Sequence, residues 1–282
     1  MSPENAANAW PPDWLIPDWP APKGVRAVFT TRAGGVSVAP YESMNLGDHV
    51  GDRAGCVAEN RALLQRATGA RSVFLKQVHG SDVLVLGADT PDGQPADACV
   101  TAQRKLACTI MVADCLPVLL TTGSGDVVAA AHVGWRGLAG VGEKRGNGGD
   151  CVLASVYKSF RSLVHPKQRQ EAINTIAWLG PCIGPTAFEV GAEVKAAFEV
   201  AQPESGRLFV DKAGGKYLAN LPALARSRLQ ALGITRIYGN DGTAPWCTVL
   251  NASRFFSHRR DAGISGNGFK TTGRMAACIW LD

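Results

Sequence analysis

Two histidines and a cysteine, far apart along the chain, are the residues best suited to chemistry. They are His79 in Lys76-Gln77-Val78-His79-Gly80, Cys115 in Ala113-Asp114-Cys115-Leu116-Pro117, and His132 in Ala131-His132-Val133-Gly134-Trp135-Arg136-Gly137. Two imidazoles and one thiolate make three corners of a tetrahedral zinc site, and a catalytic zinc keeps three protein ligands and leaves the fourth position to water or substrate. Each residue is expected to close an apolar strand beside a turn, where α/β active sites collect. Taken singly, each reads equally as a packing or turn residue. Their common placement points to one shared ion.

The elements that must position them are strands. Runs rich in β-branched and apolar residues, bordered by Gly, Asp or Pro, predict strands over Val25–Thr31, Val73–Val78, Val83–Leu86, Leu106–Val112, Pro117–Thr121, Val127–Val133, Thr175–Leu179, Ile234–Tyr238 and Met275–Leu281. Several are almost wholly apolar, so both faces of part of the sheet should be covered. A helical stripe begins after Asp150, a candidate cap, and includes Val152, Val156 and Phe160. Asn220 is expected to cap a helix over Leu221–Leu232, with Pro222 in its first turn and Gly233 beyond its end. Weaker helical patterns cover Ala58–Ala67 and Ala192–Ala201. Gly134–Gly149, with seven glycines in sixteen positions, reads as a loop beside His132.

Composition excludes several classes. The chain has 282 residues, 46% hydrophobic and 19% charged, ordinary for a soluble globular protein. Its net charge of +5 comes from 29 basic and 24 acidic residues with no basic block, too mild for nucleic-acid binding but suited to an anionic co-substrate such as phosphate. The longest apolar stretch, Leu106 to Leu120, is interrupted by Asp114 and Pro117, so no membrane partner is expected. The 8 cysteines are scattered, and no basic segment followed by an apolar one marks a signal peptide, so a cytoplasmic protein with reduced thiols is expected. Residues 1–24 read as an extended Pro- and Trp-rich arm whose Trp10, Trp14 and Trp19 cover a core edge, and 25–282 as a single catalytic domain. A one-domain enzyme of this size suits a monomer or weak homo-oligomer.

The three runs named above resemble those of the laccase-domain family, also called the multicopper polyphenol oxidoreductase, purine nucleoside phosphorylase or peptidoglycan editing factor family. Further runs carry the resemblance: Thr30-Thr31-Arg32-Ala33-Gly34-Gly35-Val36-Ser37, Met44-Asn45-Leu46-Gly47, Gly180-Pro181-Cys182-Ile183-Gly184-Pro185, Phe188-Glu189-Val190-Gly191, Arg254-Phe255-Phe256-Ser257-His258-Arg259-Arg260-Asp261 and Thr272-Gly273-Arg274-Met275-Ala276. It runs from about residue 25 to the C-terminus. It implies an α/β (α+β) fold, a single-domain layered α/β/β/α sandwich with mixed sheets similar to a bacterial toxin deamidase. It also implies zinc on His79, Cys115 and His132, phosphorolysis of adenosine, inosine, guanosine and methylthioadenosine, and deamination of adenosine. Purine nucleosides and phosphate are then the partners. Val141–Asp150 and Gly263–Thr271 depart from the family's pattern, which puts substrate preference in doubt. The second stretch also mimics a P-loop, but Phe269 breaks its Gly-Lys step.

Roles follow from what such chemistry needs. A zinc ion with an open position brings bound water toward a pKa of about 7, which suits deamination at C6 of adenine. Phosphorolysis needs cationic or amide donors for phosphate and a proton donor or metal for the departing base. Arg32 and Arg136 are candidate anion contacts. Asn45 is a candidate for ribose or phosphate, Glu189 for base or ribose, and Asp114 for orienting a metal ligand. Surface ion pairs and turn hydrogen bonds are the competing readings of all five. With 5 histidines the chain cannot assemble a conventional multicopper centre, although one Cu2+ suits the same three ligands. Cys115 as nucleophile with a histidine base, in a metal-free hydrolase or amidase that edits a peptidoglycan precursor, also stays open.

Overall fold

Alternation along four strands dictates the layering. In the computed structural model, which describes residues 10–141, 151–164, 174–262 and 271–282, β5 (Leu106–Val112) sends Leu106, Cys108, Ile110 and Val112 to one apolar cluster and Ala107 and Met111 to another. β13 (Met275–Leu281) splits the same way, with Ala277 and Ile279 on one side and Cys278 and Trp280 on the other. β6 (Leu116–Thr121) and β7 (Val128–Val133) send Leu119, Val128 and Ala130 to the cluster shared with β5 and β13. Their Val118, Leu120, Ala129 and Ala131 join a third cluster. A period of two thus gives each sheet two buried faces.

The first sheet has the order β1-β13-β5-β2, with β1 spanning Val25–Phe29 and β2 Arg71–Phe74. Only β2 and β5 run parallel in it. The second has the order β12-β8-β6-β7-β4-β3, where β3 is Val83–Val85, β4 Ala98–Thr101, β8 Ile176–Leu179 and β12 Arg236–Gly239. It mixes antiparallel pairs at its centre with parallel pairs at both edges. Helix α1 (Ala54–Thr68) buries Leu64 on the outer face of the first sheet. Helices α3 (Val152–Leu163), α4 (Ala192–Ala201) and α5 (Leu221–Ala231) pack into the outer cluster of the second, α3 through Val152, Leu153, Val156 and Phe160. A small antiparallel sheet of β9 (Glu189–Gly191), β10 (Phe209–Lys212) and β11 (Lys216–Ala219) lies beside α4. The result is one mixed α/β domain with the expected α/β/β/α layers.

Several expected boundaries coincide with the structure, among them Leu106–Val112, Met275–Leu281 and Ala192–Ala201. Asn220 caps α5 by accepting a hydrogen bond from the Ala223 N–H at 3.0 Å. Trp14 is buried, and Trp10 packs 5.9 Å from Trp280, so these two rings cover an edge of the first sheet. Three differences bear on the site. The strand expected over Val73–Val78 ends at Phe74, so His79 lies in a loop, not at a strand end. Trp135–Ala139 forms a short helix, α2, ended by Gly140 at a positive φ of 76°, because Leu138 and Ala139 have an apolar cluster to enter. Strand β4 and the small sheet were not expected, their runs being short. Asp150 and most of Val141–Asp150 and Gly263–Thr271 fall outside the described residues; Cys151 stands at the N-cap position of α3. Among the described residues, no helix is long and apolar enough to cross a membrane.

Before α1, residues 35–45 form an irregular stretch, and one buried side chain bonds three of its backbone groups. Asn60 of α1 accepts from the Val36 N–H at 2.9 Å and donates to the carbonyls of Ser43 at 3.0 Å and Asn45 at 2.8 Å. Removing these partners leaves buried backbone groups unsatisfied, each worth about 1–3 kcal/mol. Asn60→Ala is therefore expected to lower unfolding free energy by about 2–4 kcal/mol, read as a lower urea midpoint at unchanged slope. A midpoint within error of the wild type would refute this account.

Candidate metal centre

His132 is the penultimate residue of β7, and it pairs in register with Pro117 of β6. Cys115 immediately precedes β6, so the antiparallel pairing places thiol and imidazole at the same end of the second sheet. His79 reaches them from the loop after β2, with its backbone at a φ of 60°. The donor atoms of all three lie within 4.8 Å of one another. The Cys115 Sγ is 3.8 Å from His79 Nε2, and the two imidazole rings meet edge to face with centroids 4.7 Å apart. Zinc bonds of about 2.3 Å to sulfur and about 2.0–2.1 Å to nitrogen at a tetrahedral angle require a sulfur–nitrogen separation of about 3.6 Å. The cluster already stands near that spacing, so these residues fit a zinc ion.

The group that arranges the cluster is Asp97, which the sequence reading missed. Its side chain is fully buried just before β4. One carboxylate oxygen accepts from His132 Nδ1 at 2.8 Å and from the His79 N–H at 2.9 Å. The other accepts from the N–H groups of Val78 at 3.1 Å and Gly80 at 2.7 Å. A histidine ligand donates its second nitrogen to an acceptor in this way, which fixes its tautomer and leaves Nε2 to face the cluster. Gln77 locks the same loop to the end of β5, exchanging two 2.8 Å hydrogen bonds with the backbone of Met111. Close approach fixes Gly134 as well: a methyl group there would lie 2.9 Å from His79 Cδ2 and 3.3 Å from Cys115 Sγ.

The charges support one another. Burial works to raise the Cys115 pKa, but the His132 charge and hydrogen bonds from both imidazoles bring it down to about 6. Burial works to lower that of His132, yet the thiolate and the Asp97 carboxylate raise it to about 9. Without metal, Cys115 and His132 are therefore a thiolate–imidazolium pair at neutral pH.

The cluster forms part of the wall of a cavity of about 280 Å³. Met111, Trp135, Ile183, Phe188 and Leu221 supply apolar surface, and His49, His258, Arg259 and Arg274 bring cationic or protonatable groups. Asp114 lines the cavity with φ at 86°, but it orients no metal ligand. Its two oxygens accept from the Thr248 hydroxyl and the Arg259 backbone N–H, each at 2.6 Å, so it ties the segment after α5 to the β5–β6 turn.

The other candidates lie off the cavity wall. Arg32 donates to the carbonyls of Glu42 at 3.0 Å and Ala252 at 2.9 Å, which holds its turn together away from the cavity wall. Arg136 is exposed and stacks 4.5 Å over Trp135. The Glu189 side chain pairs with Lys212 at 2.8 Å. Asn45 is fully buried; its side-chain oxygen accepts from the N–H of Gly47 and of Arg274, so it meets the cavity through Arg274.

Comparison with known proteins agrees with this architecture. The chain is 44% identical over 269 residues to "Purine nucleoside phosphorylase YfiH" of Escherichia coli, covering 95% of this chain and 98% of that one. It is 45% identical over 270 residues to a purine nucleoside phosphorylase of Pseudomonas aeruginosa, with the same coverage of 95% and 98%. The crystal structure of a Neisseria meningitidis protein of family DUF152 superposes with a TM-score of 0.82 at 44% identity, over 96% of this chain and 99% of that one. A second structure, YlmD from Geobacillus stearothermophilus, gives 0.75 at 29% identity over 92% of each chain. Residues 26–282 match the family described as "Multi-copper polyphenol oxidoreductase laccase", and the chain belongs to that family.

Proposed function

We propose that the chain is a zinc-dependent purine nucleoside phosphorylase acting on adenosine, inosine, guanosine and methylthioadenosine with phosphate, and that it also deaminates adenosine. The observation that carries this is His79, Cys115 and His132 gathered at the wall of a largely apolar cavity, in a chain whose full-length relatives are named purine nucleoside phosphorylases. When bound, zinc supplies a Lewis acid with a position the protein does not fill. The chain's own residues do the rest. Trp135 and Phe188 give the cavity aromatic surface, and Met111, Ile183 and Leu221 add apolar surface against which a purine can pack. In phosphorolysis a phosphate oxygen bonds to the ribose C1 as the glycosidic C–N bond breaks, and the purine leaves with that electron pair and takes up a proton. Water exclusion is what makes phosphate rather than water the nucleophile.

A second reading rests on the same thiol. A cysteine brought down to about 6 beside an imidazole 3.8 Å away is also suited to nucleophilic attack without metal, as in an amidase acting on a peptidoglycan precursor. Copper at the three donors, with weak polyphenol oxidation, is the reading the family's description invites.

Purified protein with inosine and phosphate is expected to release ribose 1-phosphate and hypoxanthine in equal amounts, with no product when phosphate is omitted. Hypoxanthine release without phosphate would replace the phosphorylase with a hydrolase. Chelation, or His79→Ala, is expected to abolish turnover together with bound zinc; turnover that survives chelation but not Cys115→Ala would favour the thiol nucleophile. Asp97→Asn, which keeps size but weakens acceptance from His132, is expected to cut zinc affinity roughly 10–100-fold, measured by competition with a chromophoric chelator. Unchanged affinity would remove Asp97 from the account.

The pH dependence has a definite sign. Metal needs thiolate and neutral imidazole, so between pH about 6 and about 9 each ion displaces the proton of His132. Below about 6 it must also displace the proton of Cys115. Zinc affinity should rise with pH up to about 9, most steeply below 6, and thiolate absorbance at 240 nm in metal-free protein should persist down to about pH 6. A thiol that ionises only near 8.5, as free cysteine does, would contradict this.

A further inference from the structure

We infer that Arg274 anchors a binding site for a phosphate group inside the cavity, with His258 and Arg259 as further donors, and that the Asn45–Gly47 turn serves to aim it. Arg274 and Arg259 both line the cavity, and among the described residues neither forms an ion pair with a carboxylate side chain. Arg26, Arg61, Arg66 and Arg260 all do. Arg274 donates through Nη1 to the carbonyls of Thr272 at 2.7 Å and Gly273 at 3.3 Å, which fixes one edge of its guanidinium. Arg259 donates through both terminal nitrogens to the Glu189 carbonyl at 3.1 Å. Carbonyl oxygens orient a guanidinium without pairing its charge; Cys115 and Asp114 attract Arg274 across the cavity, but neither is in ion-pair contact with it. A guanidinium without a direct partner on a largely apolar cavity suits an anion, and the planar fork of arginine matches the oxygens of phosphate.

The electrostatics of the neighbours point to the same place. Burial lowers the pKa of His258, and the charges of Arg274 and Arg259 lower it further. His49 is lowered by burial and by Arg274 as well. Both imidazoles are thus within reach of the same positive charge, and a neutral His258 can still donate one N–H. The only carboxylate lining the cavity among the described residues, Asp114, has both oxygens engaged by Thr248 and the Arg259 N–H.

Two sequence motifs that the metal cluster does not use are explained by this site. The Asn45 side-chain oxygen accepts from the Arg274 N–H at 2.8 Å, and the Leu46 N–H donates to the Arg274 carbonyl at 3.0 Å. Asn45 is itself held by Asp52 at 2.9 Å. A methyl group on Gly47 would sit 2.8 Å from Cγ of Arg274 and 3.2 Å from its Cβ, so only glycine lets the arginine stem lie where it does. Met44-Asn45-Leu46-Gly47 and Thr272-Gly273-Arg274 are two halves of one clamp.

The inference deepens the phosphorylase reading and rests on it for the claim that the phosphate is inorganic; a nucleotide's phosphate would use the same donors. The test is calorimetric titration of zinc-loaded protein with inorganic phosphate and, separately, with AMP. Inorganic phosphate is expected to bind wild-type protein, with affinity lower by about tenfold or more in Arg274→Gln and by less in Arg274→Lys. Gly47→Ala should raise the KM for phosphate and leave the KM for inosine within about twofold, because the added methyl displaces the arginine and touches nothing else in the cavity. Zinc content and melting profile serve as controls. If Arg274→Gln does not fold, the lysine and Gly47→Ala variants carry the test. Unchanged phosphate affinity in folded, zinc-loaded variants would overturn the site. Binding of AMP but not phosphate, lost with Arg274, would keep the site and remove the phosphorylase reading. Phosphorolysis in Arg274→Gln with an unchanged phosphate KM would keep that reading and remove the site.

Discussion

The buried carboxylate of Asp97 ties the loop after β2 to the paired strands β4 and β7. It sits at the start of β4, holds the imidazole of His132 on the neighbouring β7, and gathers the N–H groups of Val78, His79 and Gly80 from the loop after β2. Burying a lone carboxylate costs several kcal/mol, so the arrangement exists only because four donors converge on it. Burial opposes its charge, but the hydrogen bond and charge of His132 hold its pKa below the usual carboxylate range. The left-handed backbone of His79 costs roughly 1–2 kcal/mol, and the N–H bonds to Asp97 are what hold it there. The geometry of the His79–Cys115–His132 cluster is thus set by a group one hydrogen bond behind it.

The same logic extends across the cavity. Negative charge at Asp97 favours imidazolium at His132, imidazolium favours thiolate at Cys115, and thiolate favours a cation between the donors. Each step transfers the charge of a fully buried group toward the solvent-facing pocket. On the other walls the arrangement is reversed: Asn45 and the carbonyls of Thr272 and Gly273 are neutral acceptors, so Arg274 arrives at the cavity oriented but without a carboxylate in direct contact. One cavity wall therefore gathers imidazole and thiol donors and another carries arginine, with apolar side chains also lining the space.

Legibility in the sequence followed the kind of atom involved. Burial on both strand faces was readable because β5 and β13 carry seven consecutive buried residues each; the layering itself came from the family resemblance. The convergence of His79, Cys115 and His132 was readable from their common placement and the family's motifs, although each alone reads as a packing or turn residue. Asp97 was not, since its partners are backbone N–H groups seventeen to nineteen positions upstream and peptide donors have no signature in side-chain types. Asp114 looked the better candidate by adjacency to Cys115, yet the chain turns between them and sends the carboxylate to Thr248 and Arg259. An arginine in a glycine-rich turn reads the same whether it meets phosphate or carbonyl oxygens. For Arg32 the choice was made by Ala252, 220 residues away.

That distance explains why family similarity extends along the chain from residue 26 to 282 and not over a core motif alone. The cavity takes residues from the Gln77–His79 loop, the β5–β6 turn, β7 and α2, the segments around Ile183 and Phe188, the start of α5, α6 (His258–Asp261), and the lead into β13. Segments contributing one or two side chains each gain precision only if the backbones between them are rigid, which the three apolar clusters provide. A substitution in any layer that shifts β13 against β5 moves Arg274 relative to Cys115.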